Sequence, residues 1–228
     1  KSRVQFLRTM LYIQGIAPFI IPLVGSHSIN DIAGINSRDS ETLRKQLPDG
    51  LKEGITSDTA TVEVWPFELS FHVISIGEHR ITASLFESAC DMAQRWASLV
   101  EQHPRLRAVQ DVLTEAPMLG SISQSILHIW MGLESLFPTV NSEVAFRLAL
   151  YLTQLNVTET DKMTYFSTVR QAYGTRSKIA HGGIEHVSQS DWKTAWYLLC
   201  SACQSVLQRG GLPSESDLLR ELLSSAKA

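Results

Sequence analysis

The stretch with the most chemical potential in this chain is Tyr173-Gly174-Thr175-Arg176-Ser177-Lys178-Ile179-Ala180-His181-Gly182-Gly183. Arginine is a permanent cation that grips a phosphate bidentately. Histidine titrates near neutrality and moves protons at pH 7. The two sit five positions apart at the end of a helical pattern, just before a Gly-Gly stop. On a regular helix that offset places them about 140° apart and about 7.5 Å along the axis. Convergence on one phosphate then needs fraying at Gly182–Gly183 or a second copy of the helix from another protomer. Two such helices about a twofold axis bring two arginines and two histidines to one cleft. That set suffices to cleave RNA without a metal, because the 2′-hydroxyl of the substrate is the nucleophile. A structural reading stands beside this one. Arg176 and Lys178 favour the carbonyl end of the helix dipole, His181 caps it, and Gly182 supplies the left-handed turn.

Other chemistry-bearing residues lose their support on inspection. Cys200 and Cys203 form a CxxC inside the apolar run Trp196–Val206, with no second thiol pair and no histidine nearby. That context reads as core packing before redox or metal use. His128 lies in the apolar stretch Ile126–Trp130 and reads as a satisfied core histidine. His27, His72, His79 and His103 show no ligand spacing. The chain has no GxGxxG, P-loop, HExxH or GxSxG, which removes the main support for a dinucleotide enzyme, an NTPase, a zinc protease and an α/β-hydrolase.

The elements that must position the Arg–His stretch are helical. Spacings of three and four predict helices over Ala83–Gln102, Leu106–Leu113, Ser121–Phe137, Ser142–Leu155 and Thr160–Ala180. A further helix opens at Ser188 or Ser190 and runs to Gln208, and the last covers Ser214–Ala228 with a capping-box pattern around Ser216. Short connections imply antiparallel neighbours. The first 80 residues have a different texture. Val4–Gln14 reads as strand or short helix, and Ser26–Gly54 as loop. Thr61–Ser75 alternates Val62, Val64, Phe67, Leu69, Phe71 and Val73 with polar residues, the pattern of a half-buried strand interrupted at Pro66. The expected fold class is therefore α+β. A small mixed or β-containing part over 1–80, of no legible role, precedes a helical domain over 81–228.

The segment Phe166–Gly183, with its Arg-x4-His-Gly-Gly ending and Tyr173 three residues before Arg176, resembles the signature of HEPN domains, closest to the Apea-like branch. Trp130-Met-Gly-Leu133-Glu134-Ser-Leu136-Phe137 and Ser142–Leu150 are similar to earlier helices of that branch. The resemblance covers about 121–208, under half the chain. It implies an all-helical, usually dimeric domain acting as a metal-independent endoribonuclease through a composite site. It implies no cofactor, and a place in prokaryotic anti-phage, abortive-infection or toxin systems. Carried onto this chain, Arg176 holds the scissile phosphate and His181 is general base or acid. The products are a 2′,3′-cyclic phosphate and a 5′-hydroxyl. Ser177 stands where the superfamily often has Asn, Asp or His; it can hydrogen-bond but cannot titrate near pH 7. Glu134 either orients Arg176 or His181 or makes a structural salt bridge. Lys178 either touches RNA backbone or is solvated. Tyr173 is either core or a base-stacking ring.

Composition sets limits on these readings. The 228 residues are 44% hydrophobic and 19% charged, enough for a packed core and too few charges for a disordered chain. The formal charge of −3 and pI near 6.2 argue against coating nucleic acid non-specifically, so any RNA site, for tRNA included, is a local patch. Residues 104–210 hold nine Lys+Arg and eight Asp+Glu, a net of +1, against −4 for the rest. Three cysteines fit a reducing, cytoplasmic setting. The apolar stretch Ile16–Gly25 is far short of the roughly 20 residues that span a bilayer, and no cleavable signal is legible. A start at Lys1 suggests a fragment. Two alternatives accompany the nuclease: a non-catalytic module that binds nucleotide, RNA or a protein partner, and a dimerisation scaffold for a regulatory or upstream domain.

Overall fold

A computed structural model describes residues 2–21, 23–25, 62–64, 77–78, 80–183 and 186–225. The chain divides into two compact units. One comprises Lys1 with Ile20–Glu68, and the other Ser2–Phe19 with Leu69–Ala228. In the first, the described secondary structure is one antiparallel pair, β1 (Leu23–Gly25) and β2 (Val62–Val64), with Leu23 opposite Val64. The second is helical: α1 (Ser2–Ile13), α2 (Ala83–Gln102), α3 (Pro104–Glu115), α4 (Ile122–Ser135), α5 (Val144–Leu155), α6 (Lys162–Ala180), α7 (Gln189–Arg209) and α8 (Glu215–Ser225).

This corrects the expected α+β class. Two strands of three residues cannot form a layer with its own core, and the described residues contain no other strand. The ambiguous run Val4–Gln14 falls almost wholly in a helix, α1, whose Met10, Leu11, Tyr12 and Ile13 are buried in the helical unit. Of the alternating stretch Thr61–Ser75, Val62–Val64 is strand and the remainder lies outside the described residues, as does most of Ser26–Gly54.

Local chemistry sets the helix ends. Thr82 accepts a bond from Leu85 N–H to open α2. Pro104, whose missing N–H costs nothing in a first turn, begins α3 directly after α2 stops. Ser121 caps α4 and Asp161 caps α6. Ser188 and Asp191 form a reciprocal capping box for α7, and Ser214 and Asp217 do the same for α8. Thus α8 is capped two residues before the expected Ser216. Glu143, at φ 50°, precedes α5 with no side-chain cap.

α7 is the central strut. It touches α1, α2, α4, α5 and α6, and twelve of its residues are buried, Trp192, Trp196, Leu199 and Val206 among them. Its small residues Cys200, Ser201, Cys203 and Ser205 are buried too. α1 packs on α2 and α3. A buried polar knot ties these three helices: Gln110 Oε1 accepts from Trp96 Nε1 at 2.8 Å and from Thr9 Oγ1 at 3.1 Å. On the other flank α5 packs on α6 and α8. Arg209, at the end of α7, donates to the terminal carbonyls of Gln154 and Leu155 on α5 and pairs with both oxygens of Glu221 on α8 at 3.0 Å. No helix among the described residues is long and apolar enough to cross a membrane.

Candidate functional site

α6 carries the Arg–His stretch, and the end of α6 is well defined. Gly182 takes the left-handed conformation at φ 68°. Its N–H donates to Ile179 O at 3.2 Å, while Gly183 N–H donates to Lys178 O at 2.8 Å. This paired closure is a Schellman motif with His181 as the C-cap of the helix. The helix is therefore regular from Arg176 to Ala180, and the angular separation of about 140° between Arg176 and His181 stands. The His181 side chain is exposed and has no side-chain partner among the described residues.

Arg176 faces the other way, into the bundle, and is 23% exposed. Its Nη2 lies 3.0 Å from Oε1 and 3.2 Å from Oε2 of Glu134 on α4. Its guanidinium carbon sits 5.5 Å from the centre of the Tyr173 ring. That ring meets Trp130 edge-on at 5.1 Å. Trp130 and Glu134 are spaced by four on α4, and Tyr173 and Arg176 by three on α6, so each pair shares a helix face. Burial raises the Glu134 carboxyl above its ordinary 4.5, opposed by the Arg176 charge. Burial also raises the Tyr173 phenol, assisted by Glu134 and opposed by Arg176. Arg176 Nε is buried without a hydrogen bond, and Nη1 makes no hydrogen bond or ion pair among the described residues.

Beside this cluster lies a cleft of ≈ 320 Å³ between α4, α5 and α6. Glu134, Ser135 and Tyr173 form its polar side; Phe137, Pro138, Val140, Val144 and Leu148 form the apolar one. The apolar wall was missed from the sequence, since its residues come from separate segments; Glu134 and Tyr173 were among the expected site residues. Of the other candidates, Ser177 is half-buried on α6, and Lys178 is exposed.

Cys200 and Cys203 are buried within α7, and burial drives both thiols well above the ordinary range, which makes them poor nucleophiles. His128 is half-buried rather than enclosed, with Nε2 3.3 Å from Glu115 Oε2. His103 joins α2 to α3; His27, His72 and His79 lie outside the described residues. Among the described residues no three His, Cys, Asp or Glu side chains gather so as to hold a metal ion.

In one chain, then, Arg176 is oriented by an anion and an aromatic ring, and His181 projects from the end of the same helix on another face. Arg176 is placed to meet a phosphate and His181 to move a proton, from positions about 140° apart around the helix. No family model, curated protein or solved structure matches the chain.

Proposed function

We propose that this protein is a metal-independent endoribonuclease of the HEPN type, acting in the cytoplasm as a homodimer with a composite site, in prokaryotic defence or growth arrest. The observation that supports the reading best is the Arg176–Glu134–Tyr173 cluster, which holds the arginine of the motif in one orientation near the surface. The half-buried Glu134 carboxylate at 3.0 Å and the Tyr173 ring at 5.5 Å restrict the guanidinium to one orientation, which suits a phosphate-binding role. In the proposed reaction one histidine takes the 2′-hydroxyl proton as that oxygen attacks the adjacent phosphorus. The P–O5′ bond breaks, and the leaving 5′-oxygen takes a proton from the partner's copy of the same histidine. Arg176 stabilises charge on the phosphorane oxygens. The products are a 2′,3′-cyclic phosphate and a 5′-hydroxyl.

The test is cleavage of total RNA, tRNA included, in EDTA, with fragment ends mapped. Wild type is expected to leave cyclic-phosphate ends. Replacing His181 by Ala is expected to slow cleavage by about 10²–10⁴-fold, the usual worth of a positioned proton donor or acceptor. Arg176→Ala is expected to be similarly defective with its helical signal intact. Equal activity of His181→Ala and wild type would sink the assignment.

A specific observation favours a second reading, a module that binds nucleotide or RNA without turnover. Arg176 and His181 lie on different faces of α6, so one chain offers a phosphate site without a proton donor beside it. Binding indifferent to His181, with no cleavage by dimeric wild type, would mark that case.

A further inference from the structure

We propose that the cleft bounded by Glu134, Tyr173, Val140 and Val144 is a nucleobase subsite that selects bases carrying an amino group over uracil. The inference rests on the reading of Arg176 as a phosphate site, and holds whether the module cleaves or only binds. Three observations converge on it. The cleft's ≈ 320 Å³ exceeds the bulk of a purine or pyrimidine ring. Its lining joins the apolar Phe137, Pro138, Val140, Val144 and Leu148 to the hydroxyl-bearing Ser135 and Tyr173, the latter an aromatic wall. Its one charged group is Glu134, 30% exposed at the side chain.

Those features discriminate between bases. An ionised carboxylate only accepts hydrogen bonds. Adenine, cytosine and guanine each present an amino donor; uracil presents two carbonyls and one ring N–H. Uracil can offer a carboxylate only its N3–H, a donor flanked by two carbonyl oxygens that repel the acceptor, whereas an amino group donates from the open edge of the ring. Arg176 occupies Glu134 through Nη2 alone, so Nη1 is left to face a phosphate while the carboxylate faces a base. The ion pair that orients the arginine thus also presents the reading group. A nucleotide unit has the two functions this layout separates, an anionic phosphate and a ring with a donor edge.

The experiment uses the His181→Ala protein, in which cleavage is expected to be slowed, and measures binding of AMP, CMP, GMP and UMP by titration calorimetry. Purine riboside 5′-monophosphate, which has the shape of AMP without the amino group, isolates the donor. AMP is expected to bind about tenfold or more tightly than either UMP or the purine analogue, the worth of one hydrogen bond to a charged acceptor. Val144→Phe fills the cleft without touching the ion pair; it is expected to abolish this preference while ribose 5-phosphate still binds. Equal affinity for AMP, UMP and the purine analogue would overturn the subsite. So would an unaltered AMP preference in a folded Val144→Phe protein. If no mononucleotide binds but wild type cleaves RNA, the subsite fails and the nuclease reading survives. If neither occurs, both fail.

Discussion

Gly182 decides where α6 ends and therefore where His181 is displayed. At φ 68° an L side chain is strained, although a Cβ there would meet no neighbour within 4 Å. Gly182→Ala is expected to cost about 1 kcal/mol of unfolding free energy, read by urea denaturation, through backbone conformation alone. This end of the site was legible in sequence, because a Gly-Gly after a helical run is a local stop signal. The partner of Arg176 was not settled that way. Glu134 lies 42 positions upstream, and nothing local distinguishes a carboxylate that meets an arginine across two helices from one that meets water. The pairing is a product of how α4 packs on α6.

Helices were easier to place than their roles. Ala83–Gln102 is found with the bounds its periodicity predicts, since Thr82 and Pro104 mark its two ends. Asp161 caps α6, one residue inside the start at Thr160 that the spacing predicts, a choice among adjacent capping residues that propensity alone does not make. Val4–Gln14 stayed ambiguous because a short apolar run suits a buried strand or a buried helix equally. The attachment of α8 rests on charges whose state depends on pH. The Arg209 hydrogen bonds hold the Glu221 carboxyl below its ordinary 4.5, and bonds to Ser214 hold Asp217 below its ordinary 3.8. For a depressed carboxyl, the folded state binds fewer protons than the unfolded one. Its stabilisation is present above the ordinary value and is lost as pH falls through the depressed one. Hydrogen exchange is expected to show α8 amides losing protection on acidification below pH 4.5, ahead of α7. In Glu221→Gln that pH-dependent step is expected to shrink, with protection already reduced at neutral pH.

At the scale of the whole molecule, the separation of Arg176 and His181 makes the proposed nuclease depend on assembly. Native mass measurement is expected to give twice 25.4 kDa. Mixing is the sharper measurement. Arg176→Ala and His181→Ala proteins, each defective alone, are expected to regain part of the cleavage when exchanged into heterodimers, because such a dimer keeps one arginine and one histidine at its cleft and leaves only the second proton transfer to water. No recovery after verified subunit exchange would place all catalytic groups of a site on one chain, or require both copies of each.

The central position of α7 has a consequence for how this chain is made. α1 is synthesised before every other described helix, yet one of the surfaces it packs against is α7, nearly two hundred residues later. Until Trp192, Trp196, Leu199 and Val206 emerge from the ribosome, the earlier helices surround a missing axle. Contacts this distant in sequence slow the search for the native state, and nascent intermediates with open cores are handed to chaperones or lost to aggregation. A chain stopped at residue 188 already contains Arg176, His181, Glu134 and Tyr173, yet it lacks the strut that seats α4 and α6 side by side. Such a polypeptide has every group of the proposed chemistry and no scaffold to aim them, so on that reading the chemistry waits for α7 to be translated.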